Sequence, residues 1–176
     1  MIRINSIEEL KPYVSYIESK YIDGLHSHIV ISFEKDGKLD KAIIDCKCEL
    51  REPNKKIQKI LGVDKQVMAD KYAQYVLVEI HAKELILNDK SSFSEIVCDG
   101  VYIKKGKELR VNYIKAKNFV GGGTIKAYSI WSDVLYVQKL DSERIECKTI
   151  SVKNKYRDKI IKADMVRSYK TLRQGR

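Results

Sequence analysis

Apolar residues at Ile7, Leu10, Val14, Ile17 and Tyr21 recur every three or four positions, which predicts an amphipathic helix near the start of the chain. Ser6 followed by Glu9 reads as its capping box, and Pro12 inside the run predicts a kink or a restart. Residues 28–33 and 39–50 flank Lys35-Asp36-Gly37-Lys38, a two-residue hairpin signal centred on Asp-Gly. Segments 53–61 and 64–75 read as two short helices broken at Gly62. Beyond them the pattern turns to strands, over 75–81, 93–104, 125–131, 134–140 and 144–152. Residues 105–119 stay open between strand, since Leu109, Val111 and Tyr113 alternate, and a short helix. A last helix is predicted with Asp158 as N-cap and Ile161, Met165, Tyr169 and Leu172 on one face. No solenoid-type repeat and no linker-like stretch is visible. The elements together predict an α+β fold of α/β/α type, a mixed β-sheet flanked by helices.

Composition narrows the field without naming a chemistry. At 176 residues with 44% hydrophobic and 33% charged side chains, two prolines and nine glycines, the chain is expected to be globular and to bury a core unaided by disulfides. Its apolar runs are far shorter than the roughly 18 residues of a membrane span. The first ten residues carry Arg3, Glu8 and Glu9, unlike a secretory leader, so a cytoplasmic protein without membrane association is expected. Cys46 and Cys48 form a lone C-x-C with Cys98 and Cys147 far off, which fits reduced, mostly buried thiols better than a zinc site.

Charge changes the picture. Thirty-four Lys and Arg against 24 Asp and Glu leave a net +10, and residues 151–176 hold nine of the cations against two acids. On the predicted last helix Lys155, Lys159, Lys162, Lys170 and Arg173 group beside the apolar face, and Lys153 and Arg157 add to the basic segment. Such a row attracts polyanions, nucleic acid first, by phosphate contact and counterion release.

The candidate chemistry lies in two strands expected to form a hairpin about Asp141-Ser142-Glu143. Asp133 begins the first strand, while Glu146 and Lys148 share a face of the second because side chains alternate. Two carboxylates can hold Mg²⁺, and an adjacent lysine can orient a water and steady charge on phosphorus. The triplet acid-x-Lys is weak by itself, occurring at Glu9, Glu18, Asp36, Asp45 and Glu146. Only the last has an extra carboxylate, a glycine-rich approach at Gly121-Gly122-Gly123 and a basic segment after it. That glycine run lacks the Gly-Lys-Ser/Thr of a P-loop and reads as a flexible turn. A lesser candidate is His28, placed opposite Asp45 across the first hairpin as a general-base pair. Trp131 and most of the eleven tyrosines are expected to pack in the core.

Lys105-Gly106-Lys107, Phe119-Val120-Gly121-Gly122-Gly123-Thr124, Trp131-Ser132-Asp133 and Ile145-Glu146-Cys147-Lys148 together resemble the PD-(D/E)XK nuclease superfamily, particularly Holliday-junction-resolvase-like and phage endonucleases, over residues 105–173. The resemblance implies a restriction-endonuclease-like core at 101–176, with residues 1–100 as a recognition or partner-binding addition. It implies Asp133, Glu146 and the Cys147 carbonyl as ligands of Mg²⁺ or Mn²⁺, and Lys148 as the catalytic lysine. Glu108 is the only acid near the place of a further family glutamate. Lys126, Lys153, Lys155, Arg157, Lys159, Lys162, Lys170 and Arg173 would hold nucleic acid, DNA or RNA. The expected function is a metal-dependent endonuclease of phage or mobile-element origin. The alternative is a non-catalytic binder of nucleic acid or of a nucleoprotein complex, an anti-CRISPR-like inhibitor of host defence. Monomer and homodimer both remain open.

Overall fold

The computed structural model describes residues 1–20, 26–62, 75–153 and 156–168. It is mostly β, 71% strand and 10% helix, built on one curled mixed sheet that forms a half-barrel. Among the described residues helices are few and form no flanking layer, so the expected α/β/α architecture is corrected to a mostly β one. The elements are β1 (Ile2–Ile4), a 3-10 helix (Ile7–Tyr13), β2 (Val14–Lys20), β3 (His26–Ser32), β4 (Glu34–Lys35), β5 (Lys38–Leu39), β6 (Ala42–Ile44), β7 (Cys48–Glu49), α1 (Lys55–Ile60), β8 (Tyr75–His81), β9 (Glu84–Leu87), β10 (Ser91–Val152) and β11 (Tyr156–Ser168).

The register explains the architecture. A straight strand of 62 residues would be about 200 Å long at roughly 3.3 Å per residue. Instead β10 winds. Glu79 of β8 pairs in parallel with Glu95, and Glu84 of β9 with Gly100, each sixteen residues on. Leu140 and Val152 of β10 pair in parallel with Tyr156 and Ser168 of β11, again sixteen residues on. Just after β10 the Lys153 N–H donates to the Val137 carbonyl at 3.0 Å, and inside β10 Tyr113 meets Tyr128 edge to face with centroids 5.8 Å apart. Each turn of fifteen or sixteen residues thus lies on the turn before it. The parallel ladders β1–β6–β9 and β3–β8 extend the sheet, and β2 closes its far side antiparallel to β3.

The winding has a sequence basis that the search for longer repeats misses. Buried pairs recur every five residues through Ile130 and Ser132, Leu135 and Val137, Leu140 and Ser142, Ile145 and Cys147, and Ile150 and Val152. The first member is a large aliphatic and the second a smaller side chain, a pattern that lets the sheet bend at regular intervals around its core. The buried serines satisfy themselves locally: Ser132 donates to the Val134 carbonyl at 3.0 Å and Ser142 to the Arg144 carbonyl at 3.1 Å.

Several expected elements change character. Residues 7–13 form a 3-10 helix and then β2, not an amphipathic α-helix. Ser6 makes no side-chain cap, although the Glu9 carboxylate accepts from the Asn5 N–H at 2.8 Å. Pro12 lacks the N–H that a longer helix needs, and Val14 is already extended. The Asp36-Gly37 turn is present with both residues at positive φ, but its hairpin is only β4 with β5. The strands beyond it diverge to different partners, β3 to β2 and β8, and β6 to β1 and β9. α1 falls within the predicted 53–61 helix, with the Asn54 side chain accepting from Ile57 N–H and Gly62 at positive φ after it. The helix predicted over 64–75 lies mostly outside the described residues. Residues 105–119 are strand, and the predicted last helix is replaced by β11 over 156–168, with 169–176 outside the described residues.

Candidate nucleic-acid interface

The wound sheet decides which of the predicted residues meet. No hairpin forms about residue 142, since 141–143 continue the extended run of β10. Asp133 and Lys148, one turn apart, do come together, with Lys148 Nζ 3.3 Å from Asp133 Oδ1. Both side chains are largely exposed, so this is a surface ion pair worth at most about 1 kcal/mol. Glu146 is exposed, two residues along from Lys148, and pairs in register with Lys162 of β11. A carboxylate two residues off a direct cross-strand partner has its Cβ about 7–8 Å away, and the nearer place beside Asp133 is filled by an ammonium. The Cys147 side chain is buried, and none of the four cysteines is joined in a disulfide. Among the described residues no three His, Cys, Asp or Glu side chains gather as a metal site.

The other candidates are engaged elsewhere. His28 is not opposite Asp45: its Nε2 lies 2.9 Å from Glu79 Oε2, while His81 Nε2 lies 2.6 Å from Glu79 Oε1. Asp45 takes Arg3 at 2.7 Å and accepts from Asn88 Nδ2 at 2.6 Å, which ties β1 and β6 to the residue after β9. Burial raises the Glu108 pKa, but hydrogen bonds from Lys126 and Arg110, at 3.2 and 3.0 Å, outweigh it and hold the carboxyl below its usual range. Lys126 is therefore partly neutralised by its own neighbour. Because the folded pKa is lowered, the stabilisation from Glu108 is complete above the unfolded carboxylate range and fades as pH falls through the folded value. Glu108→Gln should accordingly lose stability relative to the parent at pH 7 and little at pH 3, read from paired urea titrations. Of the predicted cation row, Lys153 is exposed and Arg157, Lys159 and Lys162 sit on strand β11. Lys155, Lys170 and Arg173 lie outside the described residues.

A different cluster emerges from the winding. Lys83, Asp99, Lys115 and Trp131 recur at sixteen-residue intervals and line one side of a groove of about 780 Å³, completed by Leu39, Ala82, Val97, Cys98 and Lys117. The Asp99 N–H donates to the Lys83 carbonyl at 2.8 Å, the backbone contact expected of adjacent strands about 4.8 Å apart. Lys115 reaches Glu95 at 3.4 Å, outside the groove. Lys83 and Lys117 have no carboxylate within ion-pair distance among the described residues. Trp131 is 53% exposed, contrary to its expected place in the core, and Tyr113, Tyr128 and Tyr136 also stand about half in solvent.

Nothing in the groove is primed for bond cleavage. Burial, reinforced by Asp99, pushes the Cys98 thiol up to about 12, so it stays protonated, and Asp99 is the sole carboxylate on the walls. The groove residues were missed because they lie one per turn across 49 residues. The constant interval of sixteen is the signal that could have found them. Fold and groove define a mostly β protein with a wound sheet and a cationic surface cleft that carries one indole. The chain matches no protein-family model, no curated protein and no solved structure.

Proposed function

We propose that the protein binds nucleic acid without cleaving it, through the basic groove on the wound sheet. The observation that carries this reading is the wall formed by Lys83, Lys115 and Lys117 against the single acid Asp99, on a chain of net charge +10. Lys115 is already paired with Glu95, but Lys83 and Lys117 have no carboxylate partner among the described residues, and such ammonium groups in a concave surface are the electrostatic signature of phosphate binding. The hydrolytic reading has less support, because Lys148 occupies Asp133 and Glu146 falls two residues away along the strand. A cleft holding cations, one aromatic ring and a protonated thiol can grip a polyanion, and it offers no ligand set for a metal.

The test is binding of labelled oligonucleotides across a salt series. The logarithm of affinity should fall linearly with that of salt, by about 0.7–0.9 per phosphate engaged. Combining Lys83→Glu with Lys117→Glu should weaken binding at least about tenfold at low salt and flatten the slope by roughly two contacts. Binding that ignores salt, or a double reversal without effect, would sink the proposal. In the same assays Glu146→Gln, Lys148→Ala and EDTA should change nothing. Mg²⁺-dependent cleavage abolished by Glu146→Gln would restore the nuclease reading instead.

A further inference from the structure

We infer that the groove takes an unpaired stretch of DNA or RNA, with one base stacked on the exposed face of Trp131 and the flanking phosphates held by Lys117 and Lys83. This deepens the nucleic-acid reading and rests on it. Lysines alone would hold a duplex as well as a single strand. What distinguishes this cleft is an indole half in solvent beside them, with Leu39 and Val97 as the other apolar surfaces of the same groove. An indole half in solvent offers a flat apolar face with a polar N–H edge, a surface suited to stacking. A base inside a duplex cannot cover it, because its faces are already stacked. An unpaired base can, and aromatic platforms interleaved with cations are how single strands are gripped without regard to sequence. Lys83 and Lys117 line the same groove as Trp131, so a strand with one base on the indole lays its phosphates along a surface that carries ammonium groups. Asp99, between Lys83 and Lys115 in the row, repels a phosphate there and favours contacts at the ends. The groove volume, about 780 Å³, falls in the range of roughly 300–1,000 Å³ that holds nucleotide-sized ligands.

Trp131 is the chain's single tryptophan, so its fluorescence reports on this groove alone. The probes are oligo(dT) and oligo(U) of twelve nucleotides, and a hairpin duplex of equal charge. Quenching of Trp131 by the single strands, with tighter binding of one or both than of the duplex, is the expected result. Comparing oligo(dT) with oligo(U) tells DNA from RNA. Trp131→Ala should weaken single-strand binding about 5- to 100-fold, and Trp131→Phe should keep most of it. Because the side chain is exposed, both variants should fold, which circular dichroism checks. Salt-dependent binding with unchanged fluorescence and full affinity in Trp131→Ala would overturn the stacking inference and leave the nucleic-acid reading standing. Failure of every oligonucleotide to bind, or displacement by polyglutamate at equal charge, would overturn both.

Discussion

Replacing Gly122 by alanine should destabilise the protein by at least about 3 kcal/mol, lowering the melting temperature by roughly 10 °C. Two costs combine. Gly122 has φ +105, a backbone conformation that a side chain strains. A Cβ built there would lie 1.8 Å from the Ile103 carbonyl oxygen and 2.8 Å from its carbon. Those are backbone atoms of the neighbouring turn, so relief requires the two turns to separate. Gly121→Ala makes the instructive comparison. Its Cβ would meet the ring of Tyr136 at 2.7 Å, but that ring is about half exposed and can swing outward. It should cost about 1 kcal/mol. Equal melting temperatures for the two variants would show that residues 121–123 form the loose turn expected from the glycine run, not a tight contact between turns.

Aspartate at position 130 or 135 should abolish folding, whereas aspartate at 134 should be tolerated. Ile130 and Leu135 are fully buried, and Val134 is 38% exposed. A carboxylate placed at either core position has no partner, which costs several kcal/mol against a total stability of about 5–15. The pair is chosen because strict strand alternation would put residues 130 and 134 on one face and 135 on the other. Only a sheet that bends every five residues buries both 130 and 135. Circular dichroism and urea unfolding read the outcome. If Ile130→Asp and Val134→Asp behave alike while Leu135→Asp unfolds, the side-by-side winding is wrong. A smaller effect is expected at the ion pair once considered catalytic: Lys148→Ala should shift stability by less than about 1 kcal/mol, since both partners are exposed.

How much of this could be read beforehand depends on which interactions are local. The Asp36-Gly37 turn and α1 depend on neighbours within four residues, and both are where the pattern puts them. The strand character of 75–81, 93–104, 125–131, 134–140 and 144–152 was also legible, because β-branched residues and alternation mark it. The pentad was not, since a period of five matches neither the two of a flat strand nor the 3.6 of a helix. At the end of the chain it even imitates a helix: Ile161, Met165 and Tyr169 recur every four residues, yet 156–168 pair residue by residue with β10. The candidate site failed for the same reason. A hairpin and a wound sheet contain identical strands, but the first joins residues across a turn and the second joins residues fifteen or sixteen apart.

By itself, the sequence determined an excess of positive charge, reduced cysteines, a tight Asp-Gly turn, one short helix and a β-rich second half. Those depend on composition and on contacts along the chain. Only the tertiary structure decided that Trp131 faces solvent, that Lys148 takes Asp133, and that Lys83, Lys115 and Lys117 share a groove with the indole. Partners across a sheet are set by where the chain bends, and the bends come from how large and small side chains fill a core that no single segment possesses.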